Sequence, residues 1–109
     1  MPTILHMTTA DDWVRAQPKG EYVIDSLETE GFIHCSLPRQ VAGVANALYG
    51  SRTDLILLHI NADLVAPDIR YEGDPEAFPH IYGPLNLDAV VNVTPYPPGP
   101  DGNFSPPDV

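Results

Sequence analysis

The sequence predicts a small α+β domain with a mainly antiparallel sheet of five or six strands and two helices. Three observations carry the prediction. Short apolar and β-branched runs recur along the chain, separated by Gly, Pro and polar segments. Two helical patterns lie in the first half, one opened by a capping signature and one marked by an i, i+3, i+4, i+7 stripe. With 109 residues and 43% hydrophobic side chains, the chain can bury one core and has no room for a second.

Thr3-Ile-Leu-His-Met7 is the first strand, and alternation places Ile4, His6 and Thr8 on one face. In Thr8-Thr-Ala-Asp-Asp12 either threonine has an aspartate three residues on, a capping-box-like start with acidic groups at the positive helix end. Trp13, Val14 and Ala16 follow, and Pro18 with Gly20 stops the helix near Gln17. Residues 21–30 are polar and mixed, which predicts a loop with a little strand at residues 22–24. Gly31-Phe-Ile-His-Cys-Ser36 is the next strand, with Phe32, His34 and Ser36 on one face and Ile33 and Cys35 on the other. Ser36 suits an N-cap, and Pro38 is tolerated in the first turn. Val41, Val44, Ala45 and Leu48 then form the stripe that Gly50 ends. Asp54-Leu-Ile-Leu-Leu-His-Ile60 is apolar on both faces, as a central strand is.

Residues 68–72 alternate as a weaker strand, residues 73–84 with three prolines predict an ordered loop, and residues 88–94 are the last strand. Six of the thirteen prolines fall in the final fifteen residues, a composition that favours polyproline II or disorder. Residues 1–94 are therefore expected to form the domain, and residues 95–109 a flexible tail.

Charge and cysteine count narrow the function. Fifteen acidic residues against five basic ones give a net charge of −10, a field that repels nucleic acid backbones. The single cysteine cannot close an intrachain disulfide. No apolar run is long enough to span a bilayer, and no basic region followed by a hydrophobic stretch opens the chain. A cytoplasmic domain with no nucleic acid or membrane partner is the expectation. The oligomeric state is left open.

The histidines carry the chemical interest. His6-Met-Thr8 and His34-Cys-Ser36 each pair an imidazole with a hydroxyl at i and i+2 on a strand, so both groups point the same way. Such pairs can hydrogen-bond a ribose or a phosphate. Either pair alone fits satisfied structural histidines beside hydroxyls that cap helices, and it is the recurrence of the pattern at two strand-to-helix junctions that points to function. His80 and Tyr82 lie in the stiff Phe78-Pro-His-Ile-Tyr-Gly-Pro84 segment, which could aim them into a pocket or simply bury an aromatic. Glu72 could be a catalytic carboxylate or an exposed strand charge. Cys35 alternates away from the His34 face, against a nucleophile role. The spacing of His6, His34 and His80 matches no local metal motif, so no metal is expected. Glycine-rich phosphate loops, HExxH and GxSxG are missing.

Taken in order, Ile4–Thr8, Trp13 with Gly20, Glu28–Ser36, Asp54–Leu58, Phe78–Leu85 and Ala89–Val91 resemble the bacterial family named domain of unknown function 952 over residues 3–94. That family is grouped by fold with the ADP-ribosyltransferases, so the resemblance implies a small ADP-ribosyltransferase-like domain with a split, twisted sheet. More loosely, His6-Met-Thr8 and His34-Cys-Ser36 resemble the His-Gly-Thr and His-x-Ser strands of the NAD-binding lobe of RNA 2′-phosphotransferases. By that similarity His6 would bind an NAD ribose, with His34 and Ser36 at the nicotinamide side of the cleft. The chain departs from those enzymes in lacking their separate basic lobe. No residue clearly matches the glutamate of toxin-type transferases, and Glu72 is the nearest candidate.

The resulting expectation is a cleft that binds NAD or another ADP-ribose-containing nucleotide through His6, Thr8, Ser36 and Tyr82. His34, His80 and Glu72 would supply any transferase chemistry. The alternative is a non-enzymatic binding or interaction module that keeps the fold.

Overall fold

The computed structural model describes residues 3–50 and 52–107. Its elements are β1 (Thr3–Thr9), α1 (Ala10–Ala16), β2 (Glu21–Tyr22), α2 (Asp25–Thr29), β3 (Ile33–His34), α3 (Val41–Leu48), β4 (Leu55–Asn61), β5 (Ile69–Glu72), β6 (Phe78–Ile81), β7 (Leu85–Asn86) and β8 (Val90–Pro95). The fold is α+β, as the patterning predicts. The apolar run of β4 is central in a sheet ordered β1-β4-β8. A second sheet is ordered β3-β6-β5, and β2 pairs with β7. Every pairing is antiparallel. Among the described residues no helix is long and apolar enough to cross a membrane.

Alternation along β1 and β4 builds two cores, one on each face of the first sheet. Ile4, Leu58 and Ile60 join Tyr22, Ile33, Ile81 and Leu85 on one side. Leu5, Leu55 and Leu57 meet Val41, Ala45, Tyr96 and Phe104 on the other. The two larger sheets are stitched where Leu5 and Ser36 exchange backbone hydrogen bonds of 2.8 and 2.7 Å. The side chains that matter for function gather around this seam.

Several local expectations are corrected. Thr9, not Thr8, caps α1, its hydroxyl accepting the Asp12 N–H at 3.2 Å. Ser36 caps no helix: a 3-10 turn at Pro38–Gln40 intervenes, and the Gln40 side chain accepts the Leu37 N–H at 2.9 Å. The stripe of α3 is buried only at Val41 and Ala45, while Leu48 is 70% exposed. A third helix, α2, occupies part of the expected loop and packs Leu27 on the first core. The expected loop at residues 73–84 contains β6. Pro79 is tolerated inside that strand because its ring is buried and its carbonyl still accepts the Cys35 N–H at 3.0 Å. Gly73 turns β5 back toward β6 at φ +133°, where a Cβ would meet the Glu76 carbonyl oxygen at 2.5 Å.

The tail departs most from expectation. Phe104 is 4% exposed, stacked on Tyr96 with ring centroids 5.1 Å apart, inside the second core. Asn46 on α3 clamps it: Asn46 Nδ2 donates to the Phe104 carbonyl at 3.1 Å, and the Phe104 N–H donates to Asn46 Oδ1 at 2.7 Å. Tyr96 donates to the Ser105 carbonyl at 2.5 Å, and a turn closes through Gly99 N–H and the Asn103 carbonyl at 2.7 Å. Composition understates such a tail, because prolines have already lost backbone freedom and one aromatic can fill the space beside a short helix.

Candidate functional site

His6 projects from β1 into the first core and is 4% exposed. Its Nδ1 donates to the His34 carbonyl at 2.6 Å, and its Nε2 lies 2.9 Å from Tyr22 Oη. Tyr22 Oη is in turn 2.8 Å from Thr8 Oγ1. Burial pushes the imidazole pKa down to about 4, so the ring is neutral at pH 7. Nε2 then carries a lone pair and accepts a hydrogen bond from the Tyr22 hydroxyl, which leaves Thr8 to donate to Tyr22 Oη. Burial also pushes the Tyr22 phenol pKa up, which keeps that proton in place. The chain His34 carbonyl–His6–Tyr22–Thr8 is therefore fully satisfied and braces the seam between the sheets.

The β3-β6-β5 sheet follows the same alternation. Ile33, Pro79 and Ile81 face the core. His34 pairs with His80, and Arg70 with His80, so these three share the opposite face with Phe32, Glu72 and Tyr82. Phe32 stacks on the His80 ring at 4.1 Å and 15°, and the His34 and His80 rings meet edge to face at 5.3 Å. His80 Nδ1 lies 3.1 Å from Glu72 Oε1, which also accepts the Tyr82 hydroxyl. Those two hydrogen bonds, Tyr82 first, hold the Glu72 carboxyl below its usual pKa, so it stays ionised. The Arg70 guanidinium sits 4.6 Å over the Tyr82 ring. His34 Nε2 lies 2.5 Å from Glu30 Oε2.

A cleft of about 1040 Å³ opens along the seam. Its surface includes His6, Thr8, His34, Ser36 and His80, together with Val44, Ala47 and Leu48 of α3. Arg15, Lys19 and Arg52 also line it, which is three of the five basic residues of the chain. Arg15 pairs with Asp12 at 3.2 Å and Arg52 with Asp54 at 2.5 Å. Ser36 Oγ makes no hydrogen bond among the described residues, and Ser26 Oγ, on a residue lining the cleft, is buried without a partner.

Seven side chains were expected to form the site, and the structure sorts them into three roles. His34, His80 and Ser36 line the cleft with polar atoms uncommitted. His6 and Thr8 lie in its wall with their hydrogen bonds already satisfied by Tyr22 and the His34 carbonyl. Glu72 and Tyr82 do not line it and stand behind His80 instead. The idea that both hydroxyls mark helix N-termini is corrected by the capping pattern above. Cys35 is buried on the core side, and burial pushes its thiol pKa up, away from the reactive thiolate.

The family model described as protein of unknown function DUF952 matches residues 7–93. The chain belongs to this family. The crystal structure of protein CC0527 from Caulobacter crescentus superposes with a TM-score of 0.84, at 24% identity over 94% of this chain and 93% of that one. A crystal structure of a double mutant of the same protein gives the same values. Its solution NMR structure gives 0.83 at 25% identity, over 96% of this chain and 93% of that one. No curated protein matches.

In this DUF952 chain the matched span holds every candidate residue except His6, and it stops short of Tyr96 and Phe104. Reasoning from sequence missed Glu30, Phe32 and Arg70 as partners of the imidazoles, and Tyr22 as the partner of His6. Strand alternation already places Phe32 on the face of His34, and the same rule groups Arg70 with Glu72. The i, i+4 spacing of Glu30 and His34 is also visible, but Glu30 falls in the expected loop at residues 21–30 and His34 in the expected strand at residues 31–36. Tyr22 carried no local signal.

Proposed function

We propose that the cleft binds an ADP-ribose-containing nucleotide, NAD among them. One observation carries the reading: a chain of net charge −10 gathers three of its five cations around a cleft that also presents two imidazoles and a free hydroxyl. The lining also carries Asp12, Asp25 and Glu76, so its cations offset its carboxylates and the cleft is neutral within a chain of −10. Lys19, unpaired among the described residues, is placed to meet a phosphate. Ser36 Oγ, uncommitted among the described residues, suits a ribose hydroxyl, and the volume is ample for a small-molecule site, for which about 300–1,000 Å³ is usual. In this reading His34, His80 and Ser36 contact the ligand, while His6 and Thr8 hold the seam. The resemblance to ADP-ribosyltransferase-like domains implies the same ligand class.

Titration with NAD and with ADP-ribose, followed by NMR, tests it. Shifts at His34, Ser36 and His80 with those around Arg15, Lys19 and Arg52 are expected. No perturbation at millimolar ligand overturns the reading. A non-catalytic binding module is favoured by the placement of Glu72, the nearest counterpart of a transferase glutamate, behind His80. Turnover of labelled NAD that disappears in a folded His34→Ala variant would refute that second reading.

A further inference from the structure

Two imidazole–carboxylate pairs meet on one wall of the cleft, an arrangement that contact with a nucleotide does not by itself require. Glu72 accepts His80 Nδ1–H, so the tautomer of His80 is set with Nε2 carrying the lone pair. Glu30 accepts His34 Nε2–H, which leaves Nδ1 of that ring uncommitted. Neither His80 Nε2 nor His34 Nδ1 is hydrogen-bonded among the described residues, and both residues line the cleft. The environments differ: the His34 side chain is 54% exposed and that of His80 is 12% exposed under Phe32. A carboxylate behind each ring fixes its orientation and its tautomer.

We propose that His80 and His34 form an acid–base pair that hydrolyses a phosphoester of a ligand held in this cleft. His80 Nε2 takes a proton from water as the water oxygen bonds to phosphorus. The phosphorus–oxygen bond to the leaving group breaks, its electron pair stays on that oxygen, and His34 Nδ1 of the imidazolium protonates it. His80 then releases its proton to solvent and His34 regains one, so the sum is ester plus water giving acid and alcohol. Lys19, unpaired among the described residues, supplies the cation that meets an anionic ester, while Arg15 and Arg52 are paired with Asp12 and Asp54. Glu72, Tyr82 and Glu30 are positioning residues. The groups facing His80 are Glu72, His34 and, across the strand pair, Arg70; those facing His34 are Glu30 and His80. The proposal rests on the cleft taking a phosphate-bearing ligand, and so on the reading above.

Two probes in EDTA test it: 2′,3′-cyclic AMP, whose leaving group is a basic ribose oxygen, and bis(4-nitrophenyl) phosphate, whose nitrophenolate leaves without a proton. Wild type is expected to hydrolyse both, with a bell-shaped kcat/KM for the cyclic ester, because the base must be neutral and the acid protonated. His34→Ala should lose about 100-fold or more on the cyclic ester, lose its alkaline limb, and keep the nitrophenyl ester within a few-fold. His80→Asn should lose both activities by about 100-fold or more while remaining folded by NMR. Glu72→Gln and Glu30→Gln should shift the acid and alkaline limbs respectively.

Hydrolysis of neither ester by wild type, dependence on a metal that EDTA removes, or equal effects of His34→Ala on the two esters overturns the proposal. The NAD and ADP-ribose titration separates the failures. Binding without hydrolysis sinks the acid–base pair alone, whereas no binding and no hydrolysis sinks both readings.

Discussion

His6 shows what one buried imidazole does to a small domain. Its pKa falls from 6.5 to about 4 on folding, chiefly through desolvation, while in the unfolded chain it keeps the ordinary value. Above pH 6.5 both states are neutral and stability is complete. Between pH 6.5 and 4 the unfolded state binds a proton that the folded state refuses, so stability falls as pH falls. The shift amounts to about 3 kcal/mol by pH 4. Urea unfolding at pH 7.5 and pH 4.5 should show most of that loss, and His6→Gln should flatten the dependence over this window. An equal pH slope in the variant would place the titrating group elsewhere. Tyr22→Phe probes the same chain at constant pH. It strips His6 Nε2 and Thr8 Oγ1 of their partner and should cost about 1–3 kcal/mol in the same unfolding measurement. The inward direction of His6 was legible from alternation in β1. Its satisfaction by a phenol 16 residues away was not, because nothing local in β1 or β2 specifies that the two elements meet.

At the scale of elements, legibility followed the strength of the local pattern. β4 and α1 were readable because continuous apolar character and a threonine cap are local signals. β6 was not, since Pro79 argues against an inner strand and only the tertiary burial of its ring overrides that preference. α2 lacks a side-chain cap and holds through Leu27 against the core. The C-terminal segment failed for the same reason in the opposite direction: proline content spoke for disorder, while Asn46 and the space beside α3 spoke for Phe104. Phe104→Ala should therefore cost about 3 kcal/mol, a fall in Tm of roughly 10 °C or more for a domain of this size. A chain ending at Tyr96 should fall at least as far. Asn46→Ala, which leaves the Phe104 N–H and carbonyl without their partner, should cost about 1–3 kcal/mol. Calorimetry on the three variants checks this, and a shift of only a few degrees on truncation would show that the segment contributes little.

Across the whole molecule, the distribution of charge matters more than its sum. Basic residues are scarce in the sequence, and from scarcity alone nucleic acid looked excluded. Only the fold shows that Arg15, Lys19 and Arg52, from α1, the 3-10 turn after it and the segment after α3, converge on one cleft. A surface charge acts strongly within about one Debye length, about 8 Å at 0.15 M salt, and hardly at all beyond it. Position should thus outweigh net charge in nucleotide binding, and two substitutions separate the two. Lys19→Gln and Val91→Glu each take the chain from −10 to −11. Lys19 lines the cleft and makes no ion pair among the described residues, whereas Val91 is 58% exposed on β8 and does not line it. An edge strand tolerates the added carboxylate. At a partly screened site one lost charge is worth about 1 kcal/mol, so Lys19→Gln should weaken NAD binding about fivefold at 0.15 M salt. Val91→Glu should leave it within about twofold. Calorimetric titration of both variants against wild type decides: equal weakening would mean that the ligand feels only the net charge, and that the cations of the cleft do not touch it.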